Sequence, residues 1–251
     1  MYEPIIEQTD HRTFPLPDGH WIMTQRWQHL LFLHFPIKKE TVEPYIPEDL
    51  SLDTYGGEAW ITILPFEVSD MHIRKLPPFP SVNTYLELNV RTYVKCNGVS
   101  GLYFFSLDAS KVLAVTGARM TTLPYYYAKM EMQKQDGRFQ FSSKRKGKTG
   151  ALLQGIYRPH SAIYYPKDES LEQWLLERYY AWSSLGSLLV EIGIHHTKWE
   201  VQEAQADIQA FNLIPFPVNE MIKPPLLHYV KSKRVLFWPL KLLKQAETKI
   251  K

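Results

Sequence analysis

The sequence predicts a mainly β protein whose sheet is antiparallel and either curled or closed. Three observations lead to this fold class: a high aromatic content, a succession of short strand-like segments, and glycine-containing turns between them. The 251 residues include 15 Tyr, 12 Phe and 7 Trp, and aromatic rings favour half-buried pleated strands. Strands that follow one another with few helices between them argue against a Rossmann-type alternation.

The clearest segment is TYLELNVRTYV, residues 84–94. Its residues alternate in polarity, so that Glu87 and Arg91 share one face of a strand and the apolar residues share the other. Asn97-Gly98 then predicts a tight turn that leads to a return strand over residues 101–107.

The remaining elements are predicted in order along the chain from hydrophobic pattern and turn signals. A capping-box pattern, in which Ser170 is followed by Gln173, predicts a helix over residues 170–182. The alternation of basic and apolar residues over 231–251 fits either a segment that lies on a partner or membrane surface or a solvated amphipathic tail, and we favour the tail. No repeat or long linker divides the chain, so we expect one domain over residues 1–251. Strands are predicted over 26–35, 59–66, 111–116, 125–133, 138–143, 151–158, 188–195, 199–211 and 228–238, and a short helical piece near 40–45.

Composition and charge exclude several classes of function. The net charge is only +3, and the basic run at residues 144–148 is interrupted by glycine, which is typical of a solvated loop rather than a nucleic-acid surface. Cys96 is the single cysteine, so no intramolecular disulfide can form. The sequence has neither a secretory leader nor an apolar run of about 20 residues. We therefore expect a cytoplasmic protein with no membrane or nucleic-acid partner.

No motif in the sequence predicts a cofactor or a metal site. Glycine-rich phosphate loops and the Gly-x-Ser-x-Gly nucleophile motif are both absent. His195 and His196 are adjacent in a predicted strand, where neighbouring side chains face opposite ways, so both cannot easily bind one ion. We expect no cofactor and no metal.

Two groups of residues are candidates for a small-molecule site. The first is the polar face that carries Glu87 and Arg91, which either lines an interior or faces water; alternation alone leaves both open. The second follows a predicted strand end, where Arg119 precedes a proline and a run of tyrosines that begins with Tyr125. Lys129 would be a Schiff-base lysine only if it were desolvated, and most lysines are solvated.

The same stretches resemble the YqjF-like proteins of bacilli and other bacteria, a family of unknown function. The resemblance is spread in order over nearly the whole chain. It implies a fold similar to acetoacetate decarboxylase, an antiparallel closed or cone-shaped β-barrel around an interior cavity with a few covering helices. The matching segments are RWQHLLFLHFPI, LDTYGGEAWITILPF, ELNVRTYV, GLYFFSLDA, GARMTTLPYYYAKM, LLERY and LHYVKSKRVLFWPL.

The resemblance does not carry over the chemistry of the decarboxylase. In that enzyme a Gly-Arg-Glu…Gly-Phe-Pro-Lys-Lys segment supplies the Schiff-base lysine directly after the proline. Here Pro124 is followed by Tyr125 and Tyr126, and a phenol cannot replace an amine in imine formation. Glu87 looks like the counterpart of an acid that lines the decarboxylase cavity.

Three hypotheses follow for function. The first is a small-molecule binding protein whose cavity is lined by Glu87, Arg91, Arg119 and Tyr125. The sequence is compatible with either a monomer or a homo-oligomer. The second is an acid–base enzyme that acts on a small carbonyl or carboxylate compound without a Schiff-base lysine, its catalytic residues otherwise unassigned. The third is a structural protein with a filled barrel. We favour the first hypothesis, and the sequence names neither the ligand nor a reaction.

Overall fold

The computed structural model describes residues 2–78, 83–119, 123–146, 150–185, 188–216 and 225–244. Strands dominate these residues, as the sequence predicts, and the helices are short. The helices are α1 (Glu3–Ile6), α2 (Lys39–Val42), α3 (Val112–Arg119) and α4 (Leu171–Leu176), with a 3₁₀ turn over Glu43–Tyr45. The strands are β1 (Met23–Ile37), β2 (Ser51–Leu52), β3 (Ala59–Ile73), β4 (Tyr85–Cys96), β5 (Val99–Ala109), β6 (Tyr125–Gln135), β7 (Arg138–Arg145), β8 (Leu152–Pro159), β9 (Tyr180–Leu185), β10 (Leu188–His195), β11 (Gln202–Asn212), β12 (Leu226–Phe237) and β13 (Lys241–Lys244).

Nine of the strands form a closed barrel. The hydrogen-bonded neighbours run from β5 through β6, β7, β8, β11, β12, β1, β3 and β4, and β4 pairs again with β5. The closed, mainly β fold expected from the resemblance is therefore confirmed. Most neighbours are antiparallel, as predicted.

Two strands have different partners along their length, and this creates a second ring. β5 pairs with β6 at one end and with β9 at the other, while β12 pairs with β11 and, further on, with β10. Because β9 and β10 pair with each other, they close a ring of seven strands. The two rings share β5, β4, β3, β1 and β12.

Each face of the shared strands packs into a different hydrophobic core. Leu31, Ile63 and Val90 pack with side chains from β6, β7 and β8, and together they form the hydrophobic core of the nine-stranded barrel. The opposite face packs with residues of α4, β9 and β10 in the second core, which includes Phe32 and Leu64. Both faces of these strands are therefore buried.

The segment after β5 is helical, which corrects the predicted strand over residues 111–116. β5 and β6 are parallel neighbours, and two parallel strands need a crossover connection rather than a tight turn. The helix α3 lies in this crossover. Its last residue is Arg119, so Arg119 ends a helix and not a strand as predicted.

The helix predicted over residues 170–182 begins as expected but ends early. Ser170 caps it by accepting a hydrogen bond from the Gln173 amide at 3.2 Å. The helix stops at Leu176, since Glu177 leaves the helical region with ψ 71°; the Arg178 side chain donates to the Trp174 carbonyl oxygen at 2.7 Å, and residues 180–185 pair with β10. Tertiary pairing thus outweighs the helical pattern of the aromatic residues.

The two predicted hairpin turns are confirmed, whereas the C-terminal tail is not. Asn97-Gly98 and Asp136-Gly137 all have positive φ, which is the geometry that a two-residue hairpin turn requires. Residues 231–237 belong to β12 and residues 241–244 form β13, so this part of the expected tail is sheet. The rest of the expected tail, residues 245–251, lies outside the described residues. Among the residues that are described, no helix has the length and apolar character needed to cross a membrane.

Candidate functional site

The polar face of β4 is buried. Glu87 is 5% exposed, Asn89 4% and Arg91 6%. The structure fits neither alternative in full, because the apolar face packs into the core of the barrel and the polar face is nevertheless removed from water. Hereafter the side chains of Glu87, Asn89 and Arg91 are called the polar row; the row shares its face of β4 with Tyr85 and Tyr93, which belong to the second core.

Glu87 is held by two tyrosine hydroxyls. Tyr125 donates a hydrogen bond to Glu87 Oε2 at 3.1 Å, and Tyr85 is a second hydrogen-bonding partner. Burial raises the pKa of Glu87 to about 8, and the two hydrogen bonds reduce that rise. The carboxyl group is therefore mainly protonated near pH 7 and can both donate and accept a hydrogen bond.

A chain of hydrogen bonds from side chains of β1 holds the Tyr85 hydroxyl in place. Trp27 donates to Gln25 Oε1 at 2.8 Å, and Gln25 in turn donates to the Tyr85 hydroxyl at 3.4 Å. Gln25 and Trp27 come from β1, Tyr85 and Glu87 from β4, and Tyr125 from β6. Three strands thus position one carboxyl group.

Arg91 is a buried guanidinium group without a carboxylate partner. Within the described part of the chain, no acidic oxygen lies within 4.0 Å of it, and its Nε has no hydrogen-bond partner. Its Cζ lies 5.6 Å from the centre of the Phe32 ring, and burial lowers its pKa. The Asn89 Oδ1 beside it on the strand also lacks a partner. Buried polar groups are rarely left so.

Two histidines that the sequence analysis did not single out lie near the polar row. His34 bonds Thr62 Oγ1 at 2.8 Å, and Thr62 lies directly opposite Arg91 in the sheet. The rings of His34 and His228 are 5.4 Å apart, and each has one buried nitrogen with no hydrogen-bond partner. Burial lowers the pKa of both, so His34 is a neutral imidazole. In the sequence, the one signal of the position of His34 is that it lies two residues after Phe32, so that both side chains share one face of β1.

An open groove lies on the outer side of this core. It has a volume of about 670 Å³ and is lined in part by Trp174 and Arg178. Both residues also contact Tyr93, with the Trp174 and Tyr93 rings 4.7 Å apart and the Arg178 Cζ 5.2 Å from the Tyr93 ring. Tyr93 follows Arg91 on the same face of β4, so Trp174 and Arg178 form a wall between the groove and the polar row.

The structure joins two of the four predicted site residues. Glu87 and Tyr125 are hydrogen-bonded, and Arg91 lies on the same face of the strand. No ion pair joins Glu87 to Arg91 within 4.0 Å. The side chain of Arg119 lies outside the described residues, so its part in the site stays a prediction. Lys129 is 77% exposed and lies 3.6 Å from Glu131, which agrees with the solvated alternative.

Solved structures define the class of fold. The chain is similar to an acetoacetate decarboxylase (TM-score 0.64, 14% identity, 97% of this chain and 98% of that one) and to the acetoacetate decarboxylase of Legionella pneumophila (0.63, 12%, 92% and 92%). It is also similar to the enduracididine biosynthesis enzyme MppR complexed with pyruvate (0.61, 9%, 92% and 91%). At these identities the likeness establishes an acetoacetate decarboxylase-like fold and nothing about activity.

The sequence itself establishes the family. Residues 24–234 match the model of DUF2071, described as an uncharacterized conserved protein. The chain is 41% identical over 243 residues to the uncharacterized protein YqjF of Bacillus subtilis (strain 168), covering 94% of this chain and 99% of that protein. This chain therefore belongs to the DUF2071 family, and the predicted YqjF-like resemblance is confirmed.

Proposed function

We propose that the protein binds a small carboxylate- or carbonyl-bearing molecule at the polar row. The observation that carries the proposal is Arg91, a buried cation with no carboxylate within 4.0 Å in the described chain. A buried guanidinium group without an anionic partner is destabilising by several kcal/mol. A ligand carboxylate would supply that partner and accept two parallel hydrogen bonds.

The remaining groups of the row lie further along the same face of β4, Asn89 two residues and Glu87 four residues from Arg91, and can bind other polar groups of such a ligand. Protonated Glu87 can donate a hydrogen bond to a carbonyl oxygen, and the free Asn89 Oδ1 can accept one. Phe32 and Leu64 supply the apolar surroundings that small-molecule sites usually have. Two of the similar solved proteins support the same ligand class, since one is a decarboxylase of acetoacetate and another contains pyruvate.

An acid–base enzyme is the second candidate, and the pKa of Glu87 supports it. A general acid or base works best when its pKa lies near the operating pH, and burial brings the pKa of Glu87 to about 8. In such a reaction Glu87 would transfer the proton and Arg91 would hold the substrate anion. A Schiff-base route is not part of this proposal, because Tyr125 stands where the decarboxylase pattern has its lysine.

Native mass spectrometry of the freshly purified chain, followed by titration with pyruvate, tests the binding proposal. We expect either a co-purifying mass that disappears on denaturation or saturable 1:1 binding of pyruvate. Arg91→Met keeps an unbranched side chain, although a shorter one, and removes the charge, and we expect it to weaken binding by about 10- to 100-fold. Arg158→Met is the matched control, because Arg158 is an exposed arginine on β8 bonded to Gln205. The proposal would be contradicted if the protein showed no bound mass and no saturable binding, or if both variants lost binding affinity equally. Such a result would favour the filled-barrel alternative.

Glu87→Gln separates binding from catalysis. Glutamine keeps the size of the side chain and can still accept the hydrogen bond from Tyr125, but it cannot transfer a proton. If the protein decarboxylates or otherwise turns over acetoacetate, we expect a loss of about 100- to 10,000-fold in rate with ligand binding retained. Unchanged turnover in this variant would remove Glu87 from the mechanism.

A further inference from the structure

A second cluster of side chains lies at the edge of the groove. One ligand atom from each of His11, Glu177 and His196 lies within 4.8 Å of the others. His11 comes from the N-terminal arm, the segment of residues 2–22 that precedes β1; Glu177 follows α4, and His196 follows β10. Two atoms bound to one ion at about 2.1 Å with tetrahedral angles lie about 3.4 Å apart, so side-chain rotations that shift the ligand atoms by about 1 Å would bring all three onto one ion.

Both histidines are oriented by backbone carbonyl groups. His196 Nδ1 lies 2.8 Å from the Thr197 carbonyl oxygen, and His11 Nε2 lies 2.9 Å from the His196 carbonyl oxygen. A carbonyl oxygen only accepts, so these nitrogens carry the protons. His196 Nε2 and His11 Nδ1 therefore keep their lone pairs, as in metal sites where the other ring nitrogen donates to a carbonyl.

Glu177 is a buried carboxyl group that has donors but no cationic partner. Its Oε1 accepts a hydrogen bond from the Trp199 amide at 3.1 Å, and its Oε2 accepts one from the Tyr179 hydroxyl. Within the described chain, no Lys or Arg lies within 4.0 Å of it; the nearby Lys233 is paired with Glu200 at 3.7 Å. A carboxylate has about four lone-pair positions, so capacity for an ion remains.

His195, next in sequence to His196, is unsuited to the cluster. Its Nε2 donates to the Ile5 carbonyl oxygen at 2.7 Å, and its Nδ1 accepts from Arg12 at 3.1 Å. Both ring nitrogens are therefore occupied. This arrangement agrees with the expectation that His195 and His196 do not share an ion. Strand alternation could not indicate that His11, from a distant part of the chain, lies beside His196.

The groove gives the cluster an approach from solvent. His11 and Glu177 both line its wall, so an ion could enter there and keep a coordination position open to the groove. Two imidazole nitrogens and one carboxylate oxygen form a ligand set that suits Zn²⁺ and related divalent transition metals.

We propose that His11, Glu177 and His196 form a binding site for a divalent transition-metal ion of the Zn²⁺ class, with a coordination position facing the groove. The site is independent of the polar row and of the function proposed for it. Because His11 belongs to the N-terminal arm, an ion bound there would tie the arm to the body of the protein.

Titration of the full chain, stripped of metal, with Co²⁺ tests the proposal. We expect one equivalent to bind, with the visible absorption of low-symmetry Co²⁺, and Zn²⁺ to displace it. His11→Gln and His196→Ala should each weaken binding at least 10-fold, which is the typical effect of losing a ligand or its support. His160→Ala is the matched control, because His160 is an exposed histidine bonded to Gln205.

A thermal melt of each variant shows whether a loss of metal binding is caused by unfolding of the variant rather than by removal of a ligand. His11 lies on the arm and is only partly buried, so we expect His11→Gln to fold like the wild type without metal. Zn²⁺ should raise the Tm of the wild type and of His160→Ala but not that of His11→Gln. Absence of stoichiometric Co²⁺ binding to the wild type would overturn the proposal, as would equal affinity of the wild type and a folded His11→Gln variant.

Discussion

At the scale of single residues, the environment of Glu87 has a direct consequence for stability. The pKa is about 8 in the folded protein, against an ordinary value of 4.5. The folded state therefore holds this proton more tightly than the unfolded state does. The stabilising contribution is complete below about pH 4.5 and is lost as the pH rises towards about 8.

Glu87→Gln should remove this pH dependence because the amide stays neutral. We expect the free energy of unfolding of the variant, relative to the wild type, to increase by roughly 2–5 kcal/mol between about pH 5 and pH 9. Urea denaturation at the two pH values measures the difference. Glu131→Gln serves as the control, since Glu131 is 58% exposed and its substitution should leave the pH dependence unchanged. A constant difference between Glu87→Gln and the wild type would show that Glu87 ionises normally.

The residues of the polar row could be found from the sequence, whereas their burial could not. Strand alternation places Glu87, Asn89 and Arg91 on one face because that rule is local. The rule assumes one buried face for each strand, and β4 has two because it belongs to both rings. The cluster of His11, Glu177 and His196 was missed for a similar reason, since its members meet only through the docking of the arm.

At the scale of elements, the contact between β5 and β9 depends on a glycine. Gly101 of β5 faces the backbone of Tyr180, and a Cβ at this position would overlap the Tyr180 carbonyl oxygen and the Trp182 ring. The backbone of Tyr180 cannot move aside for an added Cβ as the end of a flexible side chain could. The parallel pairing of the two strands therefore requires that position 101 carry no side chain.

Gly101→Ala should accordingly destabilise the protein by about 1–3 kcal/mol or more, as overpacking of a core does. Its neighbour Ser100 is only partly buried, and Ser100→Ala should change the free energy of unfolding by less than about 0.5 kcal/mol. Chemical denaturation of the two variants provides the comparison. A Gly101→Ala variant as stable as the wild type would mean that β9 can move away from β5 without loss.

Elements that depend on local signals were predictable, and elements that depend on partners were not. The Asn97-Gly98 and Asp136-Gly137 turns follow from residue types that accept positive φ. The helix α3 and the early end of α4 follow instead from the need to cross over to β6 and to pair with β10. No pattern within residues 111–119 or 170–182 reports those partners.

At the scale of the whole molecule, five shared strands couple the two cores. Leu64 contributes to the second core and Leu88 to the core of the barrel, and both are at most 1% exposed. Neither core can lose its packing without disturbing strands that also support the other. This arrangement favours a single cooperative unfolding transition.

Leu64→Ala and Leu88→Ala test this coupling. Each should lower the free energy of unfolding by about 2–5 kcal/mol, and each should shift one common transition. Tryptophan fluorescence and far-ultraviolet circular dichroism should give the same midpoint in both variants. Two separated transitions, with only one of them shifted by each substitution, would show that the rings unfold independently and would contradict the expectation of one domain.

The order of the strands also bears on self-association. In the described residues the sheet ends at β2 and β13, which are only two and four residues long, and β13 is bounded by Lys241 and Lys244. Long unpaired strands offer a template for intermolecular pairing, whereas short or lysine-bearing edges resist it. Among the described residues, 57% of which are strand or bridge, the longer open edges are instead those of β6 beyond Tyr127 and of β11 beyond Glu203, which pair on one side only, so an amyloid-like stack would have to grow from there.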